Sequence, residues 1–247
     1  MKVLILRLEA PLMSFGTVAV DKHRPSGSFP ALSAVTGLLG AALGIKRHET
    51  DALQRLQQRL CLASRIDRRG ELLMDYQTVD LSQPWLYGSE HGVGWTTRHR
   101  VESRGKGEAN YGTHIRYRQY WADAVATLAV TLDPAEEQPS VAEVAEALSR
   151  PSHPLYLGRK GCPPAEPILQ GEQEAESLRE ALQAVPLHPF ADGGELPAQW
   201  PAAAETPGQE EQVLRDRRDW PNQVHAGSRR AWRGTVCPSV TEEGADG

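Results

Sequence analysis

Lys2-Val3-Leu4-Ile5-Leu6-Arg7-Leu8 is the stretch on which the fold turns. Its large aliphatic side chains follow one another without a turn former, so the run reads as a strand buried on both faces. Working outward, Glu9 to Pro30 has no apolar period and carries Pro11, Gly16, Pro25, Gly27 and Pro30, the composition of a loop. Ala31 to Ile45 is apolar on nearly every side, with Gly37, Gly40 and Gly44 at helical spacing. That pattern predicts a buried helix whose glycines let a neighbour come close. Thr50 caps a short amphipathic helix with Leu53, Leu56 and Leu60 on one stripe. Cys61 to Ile66 and Leu72 to Val79 read as a strand pair joined by the polar turn Asp67-Arg68-Arg69-Gly70.

Asp80 to Arg116 holds Gly88, Gly92, Gly94, Gly105, Gly107 and Gly112 and no apolar period. Irregular insertions of that length in a compact domain are usually functional or disordered. Ala124, Ala126, Leu128, Val130 and Leu132 then alternate with smaller or polar residues, a half-buried strand. Ser140-Val141-Ala142-Glu143 is a capping box opening a helix that Pro151 ends. Tyr156 to Pro164 is a glycine-rich turn, and Leu178, Ala181, Leu182 and Val185 mark a further amphipathic helix. Pro186 to Gly208 reads as a linker or flexible insertion, and Arg215 to Val240 as ordered and basic. The order of elements predicts an α+β protein with a βαββαβ, ferredoxin-like core, the arrangement shared with RNA-recognition motifs.

A chain of 247 residues, 40% of them apolar, can bury a sizeable core. No stretch approaches the roughly 20 apolar residues of a membrane helix. The N-terminal apolar run is too short for a signal-peptide core and lacks a small-residue cleavage site, which predicts a cytoplasmic protein. Cys61, Cys162 and Cys237 form no CxxC pair, and the eight histidines show no ligand spacing, so neither a metal nor a cofactor is expected. The net charge of −5 argues against a protein that coats nucleic acid indiscriminately. Arg98 to Arg118, however, sets Arg98, Arg100, Arg104, Lys106, Arg116 and Arg118 against only Glu102 and Glu108. A basic patch on an acidic protein is a directed electrostatic footprint, although a solvated charged loop has the same composition.

Three segments resemble the CasD family of Cascade subunits, within the RAMP superfamily of CRISPR RNA-binding proteins. The first runs from Leu4-Ile5-Leu6-Arg7-Leu8 through Pro11-Leu12-Met13-Ser14-Phe15-Gly16 and Arg24-Pro25-Ser26-Gly27-Ser28-Phe29-Pro30 to Gly37-Leu38-Leu39-Gly40-Ala41-Ala42-Leu43-Gly44-Ile45. The second joins Asp75-Tyr76-Gln77-Thr78-Val79 to Arg116-Tyr117-Arg118-Gln119-Tyr120-Trp121-Ala122-Asp123-Ala124. The third is Tyr156-Leu157-Gly158-Arg159-Lys160-Gly161-Cys162-Pro163-Pro164. Their order and spacing are more specific than any one alone, and they span about the first two-thirds of the chain. The match around Asp219-Trp220-Pro221 and Arg229 to Val236 is weak, and Pro186 to Gly208 departs from the family pattern as an insertion.

The resemblance implies a RAMP core over 1–79 and 117–185 with a β-hairpin thumb inserted at 80–116. A flexible insertion at 186–208, a C-terminal strand region at 209–240 and a disordered tail at 241–247 complete the expected organisation. It further implies a guide-RNA-binding subunit of a type I-E complex that caps the 5′ handle of the crRNA. Such a subunit touches the CasC-type backbone and CasA-type large subunits, and leaves cutting to another protein. Neither a membrane nor a small-molecule substrate is expected.

The residues expected at RNA are Ser14, Phe15, Arg24, Tyr76, Arg98, Arg100, Arg104, Lys106, Tyr111, His114, Arg116, Arg118, Arg159 and Lys160. Cations neutralise phosphates, flat rings stack on bases, and glycines allow close backbone approach. Phe15 capping the core and a plain turn at Tyr156 to Pro164 are the structural alternatives. No catalytic residue is assigned. The alternative reading is a metal-independent, repeat-specific endoribonuclease built on His99, Lys106, Tyr111 and His114, since such cleavage needs only a base and an acid.

Overall fold

The structure is a computed structural model that describes residues 1–19, 21–80, 93–95, 101–103, 113–203 and 206–238. Its first half contains β1 (Lys2–Glu9), β2 (Leu12–Met13), β3 (His23–Arg24), α1 (Leu32–Ala42), α2 (Thr50–Arg59), β4 (Leu60–Arg68) and β5 (Glu71–Asp80). The short strands β6 (Val93–Trp95) and β7 (Val101–Ser103) pair with each other. Then follow β8 (Thr113–Ala122), β9 (Val125–Leu132), α3 (Val141–Ser149), β10 (Leu169–Glu174) and α4 (Leu178–Ala184). The C-terminal part adds β11 (Leu196–Pro201), β12 (Glu210–Leu214), β13 (Arg218–Asp219), β14 (Val224–His225) and β15 (Arg229–Val236).

The principal sheet has seven strands in the order β10-β1-β9-β4-β11-β15-β12, and every neighbouring pair is antiparallel. Strand alternation sends the side chains of β1 to two separate cores. Leu4, Leu6 and Leu8 pack with Val35, Leu39, Leu56 and Val144, so α1, α2 and α3 cover that face. Val3 and Ile5 pack with Leu178, Leu182 and Trp200, so α4 closes the other. Every residue of β9 is buried, which is why the apolar run at its centre cannot be a one-faced strand.

Arg65 crosses the second core fully buried. Its Nη1 donates to the carbonyls of Leu182 and Val185 at 2.6 and 2.8 Å, and its Nη2 to Asp67 Oδ1 at 2.6 Å. The other oxygen of Asp67 accepts from the Thr127 hydroxyl at 2.6 Å. These bonds tie the end of α4 to the middle of the sheet and pair the two buried charges.

A second, smaller sheet stands beside the first. The long ribbon of β5 and β8 pairs over its whole length, from Glu71 opposite Ala122 to Asp80 opposite Thr113. The other edge of β8 carries β2 antiparallel and β3 parallel.

Several expectations need correction. Cys61 to Ile66 and Leu72 to Val79 do not pair: β4 lies between β9 and β11, and β5 belongs to β8. The reason sits at Gly70, whose φ is +66° and where a Cβ would stand 2.2 Å from the carbonyl oxygen of Ala122. Only glycine allows the chain to turn there, against the β8–β9 junction, out of one sheet and into the other. Within the expected linker, Leu196 to Pro201 is a sheet strand with Leu196, Ala198 and Trp200 buried. β10 had no apolar signature because Leu-Gln-Gly-Glu-Gln-Glu is an outer strand held by backbone pairing to β1. The capping box at Ser140 and Glu143 forms as expected. The tail at 241–247 lies outside the described residues. Among the described residues no helix is long and apolar enough to cross a membrane.

Candidate nucleic-acid interface

The ribbon sorts its side chains by parity. In-register partners share a face, so Arg118 lies with Arg24 and Asp75, and Arg116 with Gln77. Tyr120 follows on that same face of β8. The opposite face holds Tyr117 with its partners Tyr76 and His23. The His23 and Tyr117 rings stack at 4.9 Å and 9°, Tyr76 meets Tyr117 at 5.4 Å, and Lys22 Nζ stands 5.5 Å from the Tyr117 ring. In its described part the segment thus sets Arg116 and Arg118 with Tyr120 on one face and Tyr117 on the other.

The glycine-rich turn docks at the base of the cationic face. The Ser14 backbone N–H donates to the Leu157 carbonyl at 3.0 Å. Arg159 lies 4.4 Å over the Tyr120 ring, and its guanidinium donates to the carbonyls of Gln119 and Arg24 at 3.0 and 3.2 Å. Ser14 donates its hydroxyl to the Gln119 carbonyl at 3.4 Å, while the Gln119 side chain accepts from the Ser26 N–H at 3.1 Å. Three segments distant in sequence are therefore fastened through Gln119. Between them and the β13–β14 hairpin lies an open cleft of about 310 Å³, lined among others by Ser14, Arg24, Arg159, Arg218 and His225 and, among the described residues, by no carboxylate.

The electrostatics follow from how the arginines are held. Among the described residues, Arg24, Arg116, Arg118 and Arg159 form no ion pair, while Arg55, Arg59, Arg65, Arg229 and Arg230 each do. Asp75, opposite Arg118, accepts instead from the Gln77 amide. Arginines fixed by backbone carbonyls keep their full charge and remaining donors for an anion.

The expected site residues divide accordingly. Arg24, Arg118 and Arg159 come together, with Arg116 further along the same face and Lys160 exposed on the glycine-rich turn. Tyr76 is exposed on the aromatic face. Phe15 is corrected: its ring is 4% exposed within the core, and what it contributes is backbone, its N–H donating to Ser26 Oγ at 2.9 Å. Ser14 is likewise buried and positions the loops. His114 lies on β8 opposite Val79. Arg98, Arg100, Arg104, Lys106 and Tyr111, and with them His99, lie outside the described residues. Sequence reasoning missed Gln119, whose role depends on three loops meeting, and Arg218 and His225, in a stretch where the resemblance was weak. Among the described residues no three His, Cys, Asp or Glu side chains gather to hold a metal ion.

Comparison with known proteins agrees with this layout. The model of the family described as CRISPR-associated protein (Cas5) matches residues 3–231. The CRISPR system Cascade subunit CasD of Escherichia coli (strain K12) is 34% identical over 179 residues, 72% of this chain and 75% of that one. A chain of a CRISPR RNA-guided surveillance complex superposes with a TM-score of 0.70 at 25% identity, over 99% of this chain and 95% of the other. A second solved structure, of a Cas protein, superposes at 0.59 and 23% identity over 95% and 94%, a likeness of fold. The family match and the sequence relative make this a CRISPR-associated protein. More narrowly, the chain belongs to the Cas5 family, with a CasD among its relatives.

Proposed function

We propose that this chain is a non-catalytic, guide-RNA-binding subunit of a type I-E CRISPR Cascade interference complex, acting in antiviral defence in the cytoplasm. It caps the 5′ handle of the crRNA and bridges a CasC-type backbone subunit to a CasA-type large subunit. The observation that carries the reading is the cationic face: Arg24, Arg118 and Arg159 converge at the ribbon's base without a carboxylate partner among the described residues. A single-stranded polyanion is the ligand such a face fits. The core supports it too. β1, the α1–α2 pair, β4, β9, α3 and β10 follow one another as a βαββαβ unit, and their sheet order β10-β1-β9-β4 matches a ferredoxin-like fold. The β5–β8 ribbon, inserted between β4 and β9, flanks the 80–116 insertion expected as the thumb.

The test is incubation of the purified chain with repeat RNA, in EDTA and separately with divalent metal. The RNA is expected to be bound and to stay intact in both. Specific cleavage that His114→Ala or Tyr111→Phe abolishes would overturn the reading in favour of a metal-independent endoribonuclease.

A further inference from the structure

At the β13–β14 hairpin Arg218 meets Arg47, from the loop between α1 and α2, and among the described residues neither forms an ion pair. Arg218 Nη2 donates to Gln223 Oε1 at 3.0 Å, and the Nε and Nη2 of Arg47 approach the same oxygen at 3.4 and 3.3 Å. Two guanidinium groups thus converge on one neutral acceptor. Among the described residues neither has a carboxylate partner, and Arg218 Nε is buried without a hydrogen bond. Desolvation, and then the charge of Arg47, hold the Arg218 guanidinium below its ordinary value.

Acids close to these arginines in sequence have other partners: Glu49, two residues from Arg47, accepts from the Lys46 N–H at 2.7 Å. Asp219, the only acid of the hairpin, accepts from the Asn222 backbone and side-chain amides at 3.0 and 2.8 Å. Asp216 binds Arg229 through both oxygens and accepts from the Leu32 N–H at the start of α1 at 3.0 Å. Arg218 is half-buried and Arg47 exposed, so the two like charges repel and an anion that joins them is favoured.

We propose that Arg47 and Arg218 form a second phosphate station for the same single-stranded RNA, an inference that rests on the RNA-binding reading above. Continuity favours RNA over an acidic protein segment. Arg218 and His225 line the same cleft as Arg24 and Arg159. A strand crossing that cleft from Arg24 and Arg159 reaches Arg218, whose Nη2 is bonded to Gln223. Trp220 holds the station in place: its ring lies 5.4 Å from the Arg218 guanidinium and packs beside Gly37 of α1.

The experiment measures binding of fluorescein-labelled single-stranded repeat RNA to the full chain across a salt series. Arg47 is exposed, so Arg47→Ala should leave the fold intact, checked by its melting temperature. Losing one phosphate contact should lower the salt slope by about 0.7 and weaken binding about fivefold at 0.1 M salt. Arg218→Gln should do the same, and the double variant should lose about two contacts. An unchanged slope in Arg47→Ala, beside a reduced slope in Arg24→Ala, would overturn this station while leaving the RNA reading standing. A wild-type chain with no salt-dependent RNA binding would sink both. If polyglutamate binds the wild type but not Arg47→Ala, and RNA binding is unaltered, the site belongs to an acidic protein partner and the proposal fails.

Discussion

Gly158 and Ser14 meet backbone to backbone: a Cβ on Gly158 would stand 1.9 Å from the Ser14 carbonyl oxygen. Gly158 also has φ +102°, a conformation that L side chains rarely adopt. The contact sets how deeply the glycine-rich turn seats on the loop after β1, and so where Arg159 lies relative to Tyr120.

Gly158→Ala is therefore expected to combine backbone strain with a clash that no rotamer relieves. A loss of about 2 kcal/mol or more is expected, a melting shift of roughly 4–8 °C for a chain of this size. RNA affinity should fall with it, because Arg159 is displaced. Gly161→Ala is the control, as its Cβ would meet nothing within 4 Å. Equal effects from both substitutions would show that the close approach does not matter.

The buried network of Arg65, Asp67 and Thr127 gives a second prediction, read by urea unfolding. Arg65→Met leaves the Asp67 carboxylate buried without its cation and three carbonyls, of Leu182, Val185 and Pro186, without their donor. The expected loss is about 3–5 kcal/mol. Adding Asp67→Ala should recover part of it, because the stranded charge is gone. A single-variant loss below about 1 kcal/mol would mean that water or a neighbour takes over the guanidinium's bonds.

The start of α3 predicts an acid dependence. Backbone and side-chain hydrogen bonds from Ser140 hold the Glu143 carboxyl below its ordinary value. A depressed carboxylate contributes stability that is fully present above its unfolded-state pKa and lost as pH falls through the lowered folded one. The wild type should lose this increment only in the acid range below the ordinary carboxylate value. Glu143→Gln, which cannot ionise, should destabilise the protein near neutrality and much less once the wild-type carboxyl is protonated. A difference between the two proteins that does not change between pH 7 and acid would refute the assignment.

What the sequence revealed followed from local pattern. The unbroken aliphatic run of β1, the capping box at Ser140 and the glycines around Arg159 each leave a signature within a few residues. Strand partnership does not. Leu72 to Val79 carries a strand composition, but its partner is decided by Gly70 turning against Ala122, some fifty residues away. β11 was hidden because Pro197 and Pro201 mark it as a linker, while what makes it a strand is pairing with β15. The same limit applied to the site. Arg24, Arg118 and Arg159 were individually visible as cations, but their shared face follows from strand parity and from Gln119 binding three loops.

That parity supplies the last prediction. Arg116 and Arg118 lie on one face of the ribbon and Tyr76 on the other, so their contributions to RNA binding should differ in kind. Reversing Arg116 and Arg118 to Glu removes phosphate contacts, so both affinity and salt slope should fall, the slope by about 0.7 per contact. The fold should survive, since both residues are only half-buried and outside the two cores. Tyr76→Ala removes a stacking surface worth roughly 1–3 kcal/mol per base, so affinity should fall with the slope unchanged. Arg68→Glu/Arg69→Glu is the control for bulk charge: Arg69 lies outside the ribbon, its backbone N–H donating to Asp192. Equal losses in the two double mutants would mean that net charge, not the ribbon, governs binding. No loss in the ribbon mutant would move the RNA path off it, to Arg24 and the Arg159-Lys160 turn. A slope change in Tyr76→Ala would show that the two faces do not act separately, and that the strand wraps the ribbon rather than following its arginines.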